Sequence, residues 1–420
     1  MSEGSSRVSD VPFTDWRWAS LVDGIGAEPD GDILVGTSML SERNLLPIMA
    51  VREPALQHNI ELMAAWCTRH GAKIAPHAKT TMSRQIIARQ SSAGAWGMTA
   101  ATVTQARTLL SFGVRRLLIA NTLANPVAIG WLSDVIAERP DVEVPVFADS
   151  LAAVNLLDAH FAAADATRRL DVLVELGLPG RRTGVRDGHQ AVAIAREVSR
   201  RRQLRLAGVS AYEGVVDGDR QQATLDDVQW ICESTTEVVA QIFAHGLFEM
   251  PDPVVSIGGS AYLDVVSAHW SASSPSGYDP RLILRSGCYV THDHGLYQRM
   301  SAPMPDGGLQ PALELWAQVI SVPEPDLFVV GAGRRECPDD SGGPTVLRAF
   351  RSGAPYDVGS PDFVKMYDHH AVFKSSSQLP QVGDVVVLGI SHPCSAFSRW
   401  RTLPLLEPDD TVSGVVHSYV

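Results

Sequence analysis

A few short stretches of this chain carry residue types at spacings that could do chemistry. Lys79 follows the strand-like KIAPH and has Ala75, Pro76 and Ala78 beside it. An amine among apolar neighbours loses solvation, its pKa falls, and it can attack a carbonyl. The alternative is a surface lysine that merely starts a helix. His392 and Cys394 stand two apart in GISHPCSAF, after the strand-like DVVVLGI. Residues i and i+2 of an extended chain share a face. An imidazole and a thiolate so placed could grip a borderline-soft ion such as Zn²⁺ and leave positions open for water or substrate. A packed cysteine beside a surface histidine would look the same. Gly258, Gly259 and Ser260 separate a strand-like run from a helix-like one. That pattern either brings backbone N–H groups to a phosphate or makes an ordinary turn. The Arg181–Arg182 pair in GLPGRRTGV and Tyr212 in GVSAYEG also follow strand-like runs. A solvated arginine pair and a packed core tyrosine are the plainer readings of these two.

Such groups need a frame. From about residue 52 to 290, apolar runs alternate with amphipathic stretches, as βα units do. The spacing of Leu56, Ile60, Met63 and Trp66 predicts a first helix over Glu53 to Arg69. Eight strand-like segments follow, beginning at Lys73, Ala95, Arg116, Val144, Asp171, Leu204, Pro253 and Leu282. Strand–helix repetition with short connections predicts a parallel sheet, and eight strands fit a closed (β/α)₈ barrel. After about residue 300 the helical periodicity disappears, and short β-like runs are punctuated by Pro and Gly. The stretch LLPIMAV, ahead of the barrel, is also strand-like and could pair there. We therefore assign an α/β architecture: a barrel at residues 52–300 and a mainly β domain made of residues 1–51 and 301–420.

Composition narrows the function. Of 420 residues, 45% are apolar and 20% charged, which excludes wholesale disorder. A net charge of −12 argues against phosphate-backbone binding, so no nucleic-acid partner is expected. No apolar run approaches the roughly 20 residues that cross a bilayer, and the N-terminus has no apolar signal region. No membrane partner is expected either. The five cysteines, Cys67, Cys232, Cys288, Cys337 and Cys394, are odd in number and widely spaced, which argues for a reducing cytoplasm over a disulfide framework.

Taken in order, the words PHAKT, GLPGRRTGV, GVSAYEG, SIGGSAY with RSGCYVTHD, and GISHPCSAF resemble those of the D-serine dehydratase and D-threonine aldolase family. These are fold type III pyridoxal-phosphate enzymes whose barrel is related to the alanine racemase N-terminal domain. The resemblance implies that Lys79 carries the cofactor, that Arg182 faces its pyridine nitrogen with Arg181 as the alternative, and that Tyr212 and Glu213 lie close by. It further implies that Gly258, Gly259, Ser260, Gly287 and Tyr289 surround the phosphate, with Asp293 in the same segment. An arginine donating to the ring nitrogen keeps it unprotonated and makes the cofactor a weaker electron sink. His392 and Cys394 would bind a divalent metal, Zn²⁺ ahead of Mn²⁺. YDHHAVF resembles the family's Asp-x-His segment, which implies His370 near the active site, or its neighbour His369. A homodimer is also implied.

In that family a cysteine as second metal ligand goes with the dehydratases and an aspartate with the aldolases. Cys394 thus points to a deaminating β-elimination from a D-3-hydroxy-amino acid, giving a 2-oxo acid and ammonia. Retro-aldol cleavage to glycine and an aldehyde is the alternative, a racemase is third, and a non-catalytic cofactor-binding protein is the reading from another class. The lysine and phosphate words are shared by aldolases, dehydratases and racemases, and RECPDDSGGPTVLRAFRSG does not follow the dehydratases closely.

Overall fold

The computed structural model describes residues 35–42, 44–164, 168–272, 279–301, 304–376 and 379–420. Strand β1 is Ile48–Arg52 and helix α1 is Glu53–Arg69, the span that the apolar spacing predicts. The strands β2 Lys73–Ile74, β3 Met98–Ala100, β4 Leu117–Thr122, β5 Val146–Ala148, β6 Leu170–Glu175, β7 Leu204–Ser210, β8 Val254–Ser256 and β9 Arg281–Leu284 follow. They pair in the order β2-β9-β8-β7-β6-β5-β4-β3, each neighbour parallel. A parallel bridge between His77 and Thr99 joins the two ends, helped by the Trp96 amide donating to the Ile74 carbonyl at 2.8 Å. All eight expected strands are thus present in a barrel.

The helices between them are α2 Arg84–Ser92, α3 Val103–Ser111, α4 Pro126–Glu138, α5 Leu151–Ala163, α6 Gly188–Arg200, α7 Gln222–Ala244 and α8 Leu263–Ala272. Several start where the sequence supplies a cap. Thr102, Asn125, Ser150 and Asp187 each accept from an amide of the first turn, and Pro126 opens α4. Side chains alternate across each strand. One set packs outward against the helices in the main core. The other set, Ala75, Leu118, Phe147, Leu173, Ala207, Val254 and Ile283, forms a separate cluster that fills the barrel interior.

After the short helix α9 Leu296–Met300 the chain becomes β-rich: β10 Leu313–Glu324, β11 Leu327–Val330, β12 Thr345–Arg351, β13 Ala354–Tyr356, β14 Asp362–Met366, β15 Ala371–Lys374, β16 Val385–Gly389, β17 Thr402–Leu406 and β18 Val412–His417, with helix α10 Ala396–Arg399 before β17. Their main order is β13-β12-β16-β10-β1-β17-β18, and β11, β15 and β14 form a side branch. Strand β1 lies inside this second sheet, antiparallel to β10 and parallel to β17. Residues 1–34, which the sequence reading assigned to the same domain, lie outside the described residues. Among the described residues no helix is long and apolar enough to cross a membrane.

Candidate active site

Barrels of this kind offer their functional groups past the C-terminal ends of the strands, and most of the candidates collect there. Lys79 sits in a single 3-10 turn, Ala78–Thr80, just after β2. The turn is closed by the Thr81 and Met82 amides, which donate to the Ala78 carbonyl at 3.1 and 2.8 Å. Gly287, after β9, passes so close to it that a Cβ there would lie 2.7 Å from both the His77 carbonyl and Thr80 Oγ1. A cavity of about 240 Å³ opens over this turn, lined by Lys79, Glu175, Arg182, Tyr212, Ser260, Gly287, Cys288, Tyr297 and Cys394 among others.

The walls suit an anionic aromatic ligand. Arg182 stacks its guanidinium over the Tyr212 ring, 4.9 Å from the centroid. Arg181 turns outward and pairs with exposed Asp217 at 3.3 Å. Arg285 is buried. It donates to the Ser256 carbonyl, Ser256 Oγ and the Ala211 carbonyl, with Phe147 beneath it. Burial raises the pKa of Glu175, and its Oε2 has no hydrogen-bond partner among the described residues. His77 Nδ1 is likewise buried and unpartnered, and burial with the nearby Lys79 and two arginines holds the ring neutral. Burial, with Glu213 next, also pushes the Tyr212 hydroxyl above its usual range.

At the phosphate end the arrangement differs in detail from the expected one. Gly258 adopts φ +101°, a conformation glycine reaches without strain. Gly259 makes room for the Tyr212 ring, whose Cε2 would lie 2.8 Å from a Cβ there. The amides of Gly258 and Gly259, however, donate to the buried Glu213 carboxylate, at 3.1 and 2.5 Å. The groups left facing the cavity are Ser260 Oγ and the Gly287 and Cys288 amides, which donate to that hydroxyl at 3.3 and 3.2 Å. Tyr289 is not brought to the cavity. Its ring lies in the main core and its hydroxyl accepts from Gln90 Nε2 at 3.0 Å. Nor is His370, which is exposed on the turn between β14 and β15. Its neighbour His369 pairs with Glu336 at 2.7 Å. Asp293 acts on the chain itself: its carboxylate accepts from the Gly295, Tyr297 and Gln298 amides and so fixes the start of α9, which carries Tyr297. Two unpaired buried polar atoms, a lysine amine, a guanidinium wall and a hydroxyl–amide nest fit pyridoxal phosphate in this cavity.

The β domain contributes Cys394 to the cavity wall. His392 and Cys394 follow β16, and their ligand atoms lie with the Cys288 sulfur within 4.8 Å of one another. The two sulfurs are 3.2 Å apart. His392 Nδ1 meets the Asp340 carboxylate at 2.6 Å, which turns Nε2 toward the sulfurs, the usual outer support of a metal-binding imidazole. The three groups share their protons unequally. Donation from Cys394, opposed by burial and aided by His392, drives Cys288 toward the thiolate, and the Cys394 thiol is pushed up in return. Burial lowers the His392 pKa, but Cys288 and Asp340 outweigh it and raise it to about 9. A divalent ion would take the place of those protons. Sequence reasoning missed Glu175, Arg285, Cys288, Tyr297 and Asp340. Arg285 and Cys288 both lie within the word RSGCYVTHD, so the signal was present but had no stated partner.

A strand-end lysine inside a parallel barrel, faced by a mainly β domain, defines a pyridoxal-phosphate enzyme of the alanine racemase-like type. The family model described as alanine racemase, N-terminal domain, matches residues 51–270, over half of the chain, and the putative serine dehydratase domain matches residues 312–406. The chain belongs to the D-serine dehydratase and D-threonine aldolase-like family. It is 25% identical over 367 residues to the D-threonine aldolase of an Arthrobacter species, covering 84% of this chain and 88% of that one. It is 26% identical over 253 residues to the D-threo-3-hydroxyaspartate dehydratase of a Delftia species, covering 59% of this chain and 61% of that one. The solved D-threonine aldolase of Filomicrobium marinum superposes with a TM-score of 0.74 at 24% identity, covering 91% of this chain and 97% of the other.

Proposed function

We propose that this pyridoxal-phosphate-dependent lyase acts on a D-3-hydroxy-amino acid and, with a divalent ion at His392 and Cys394, eliminates the 3-hydroxyl to give a 2-oxo acid and ammonia. The observation that carries this reading is that the Lys79 amine and the sulfurs of Cys288 and Cys394 line one and the same cavity. When bound, pyridoxal phosphate supplies an electron sink for the Cα–H bond and the ion supplies Lewis acidity to the hydroxyl.

The chain's own residues set the rest. Lys79 Nζ would hold the cofactor, and as a free amine it would take the proton from Cα of the substrate. Arg182 offers N–H groups that would donate to a ring nitrogen and could not protonate it. Ser260 Oγ, held by the Gly287 and Cys288 amides, would turn its hydroxyl to the phosphate. Asp340 holds the His392 ring in one tautomer, and Tyr297 packs its ring beside His392 with its hydroxyl at Cys288. With Arg182 at the ring nitrogen the cofactor would be a weaker sink, and the ion that His392 and Cys394 would hold would have to supply more Lewis acidity. Retro-aldol cleavage to glycine and an aldehyde would use the same lysine and ion, and the aldolase relative supports it as strongly as the dehydratase relative supports elimination.

The test is product identification. Metal-replete holoprotein is incubated with a panel of D-3-hydroxy-amino acids. Keto acid with ammonia is the expected outcome, and chelation should stop it while the visible spectrum of the cofactor persists. Glycine with aldehyde establishes the aldolase instead, and substrate racemised without cleavage removes both.

A further inference from the structure

We propose that Cys288 is a third protein ligand of the metal, so that the ion is held by Cys288, His392 and Cys394 with one exchangeable position, a site for a borderline-soft ion such as Zn²⁺ or Co²⁺. The inference rests on the reading above, which places an ion at His392 and Cys394.

Four observations carry it. Cys288 is only 4% exposed, yet it belongs to none of the hydrophobic clusters, whereas Cys67, Cys232 and Cys337 pack in the main core. Its sulfur faces Cys394 at 3.2 Å and Thr80 Oγ1 at 3.9 Å, with the Tyr297 hydroxyl against it. A separation of 3.2 Å is far beyond an S–S bond of about 2.05 Å. It falls a little short of the edge of about 3.8 Å that two Zn–S bonds of about 2.3 Å make at a tetrahedral centre. The His392 ring, fixed at Nδ1 by Asp340, presents its other nitrogen to the same point. The Cys288 backbone is itself held by its amide donating to Ser260 Oγ.

The third ligand changes the chemistry. Three protein ligands and one open position are the pattern of catalytic zinc. Two thiolates select soft or borderline ions over Mn²⁺ and Mg²⁺. They also neutralise the ion's double charge, which tempers its Lewis acidity and leaves a single place for the substrate hydroxyl. Cys288 comes from the barrel and the other two from the β domain, so the ion would also tie the domains together.

The experiment loads the full-length holoprotein with Co²⁺. It reads the sulfur-to-cobalt charge-transfer band in the near ultraviolet and counts sulfur neighbours by X-ray absorption. Two sulfurs are expected in the parent, one in Cys288→Ser, one in Cys394→Ser and none in the double variant. Cys288→Ser should also weaken Co²⁺ at least tenfold in competition with a chelator. Cys288→Thr serves where the serine variant folds poorly. The Cys394→Ser count on its own decides the point, because the remaining sulfur can come only from Cys288. A single sulfur that vanishes in Cys394→Ser and survives in Cys288→Ser overturns the third ligand and leaves the two-ligand reading standing. A parent with no sulfur at the ion overturns both.

Discussion

Lys79 reaches the cavity from a turn that Gly287 presses from behind, which makes it the group best placed to hold the cofactor. Borohydride should fix the cofactor to Lys79, and Lys79→Ala should lose covalent attachment and several orders of magnitude of turnover, because it removes both anchor and base. Mass spectrometry of the reduced protein checks it, and label on another lysine removes the assignment. Lys79 was legible because a strand end in a barrel is a position with a known outlook. Cys288 was not: its partner Cys394 is 106 residues further on, in another domain, and no local pattern announces that meeting. Tyr289 shows the converse. It follows Cys288 in a tight turn, Cys288–Val290, and adjacent side chains of such a turn point different ways. With Cys288 at the cavity, Tyr289 is sent into the core, and a motif that fixes the word does not fix this direction.

Where β1 hands over to α1, Arg52 is enclosed by Glu314 and Asp410, and Arg348 meets the same two carboxylates at 2.8 Å each. The side chains of Arg52, Glu314 and Asp410 are only 11–13% exposed, so removing one cation strands charge away from water. Arg52→Met should destabilise the protein by about 3–5 kcal/mol in denaturant unfolding. Arg181→Met breaks a pair whose side chains are 46% and 77% exposed and should cost less than about 1 kcal/mol. Equal effects would show that the buried cluster is not a structural junction. At this scale, α1 and the eight barrel strands were readable, since periodicity, caps and short connections are local. The second sheet was readable only as a texture of short strands. Its order pairs β1 with β10 and β17, and β12 with β16, and such partners are chosen by packing among segments far apart in the chain.

The junction between the two domains carries a pH dependence. His294 donates its amide to the Ile390 carbonyl, its ring lies against Gly389, and burial pushes its pKa down to about 4, with Glu314 opposing. The unfolded chain has the ordinary histidine value of about 6.5 and therefore binds the proton more readily. Stability from this group is present above that value and is lost as pH falls from about 6.5 toward 4. Asp293, raised to about 6 by burial, works in the opposite sense, so the quantity to measure is the difference between the parent and His294→Gln, which leaves Asp293 in place. The parent should lose about 2 kcal/mol more than the variant between pH 7 and pH 4, the full shift being damped by partial solvent contact. Parallel stability curves would remove His294 as the acid-labile group. Nothing in the sequence marked it, because its burial arises only when the barrel and the β domain meet.

The place of β1 also bears on how the chain is made. Val51 pairs with both Leu313 and Leu405, so the strand must wait for partners that are translated only after the whole barrel. The barrel strands are all synthesised before the first of those partners. Until then Ile48, Met49, Ala50 and Val51, buried in the finished protein, stand with two open hydrogen-bonding edges. Nascent chains and fragments that stop before β10 are therefore sticky at this strand, and shortening the gene to isolate the barrel would yield aggregates unless β1 is removed with it.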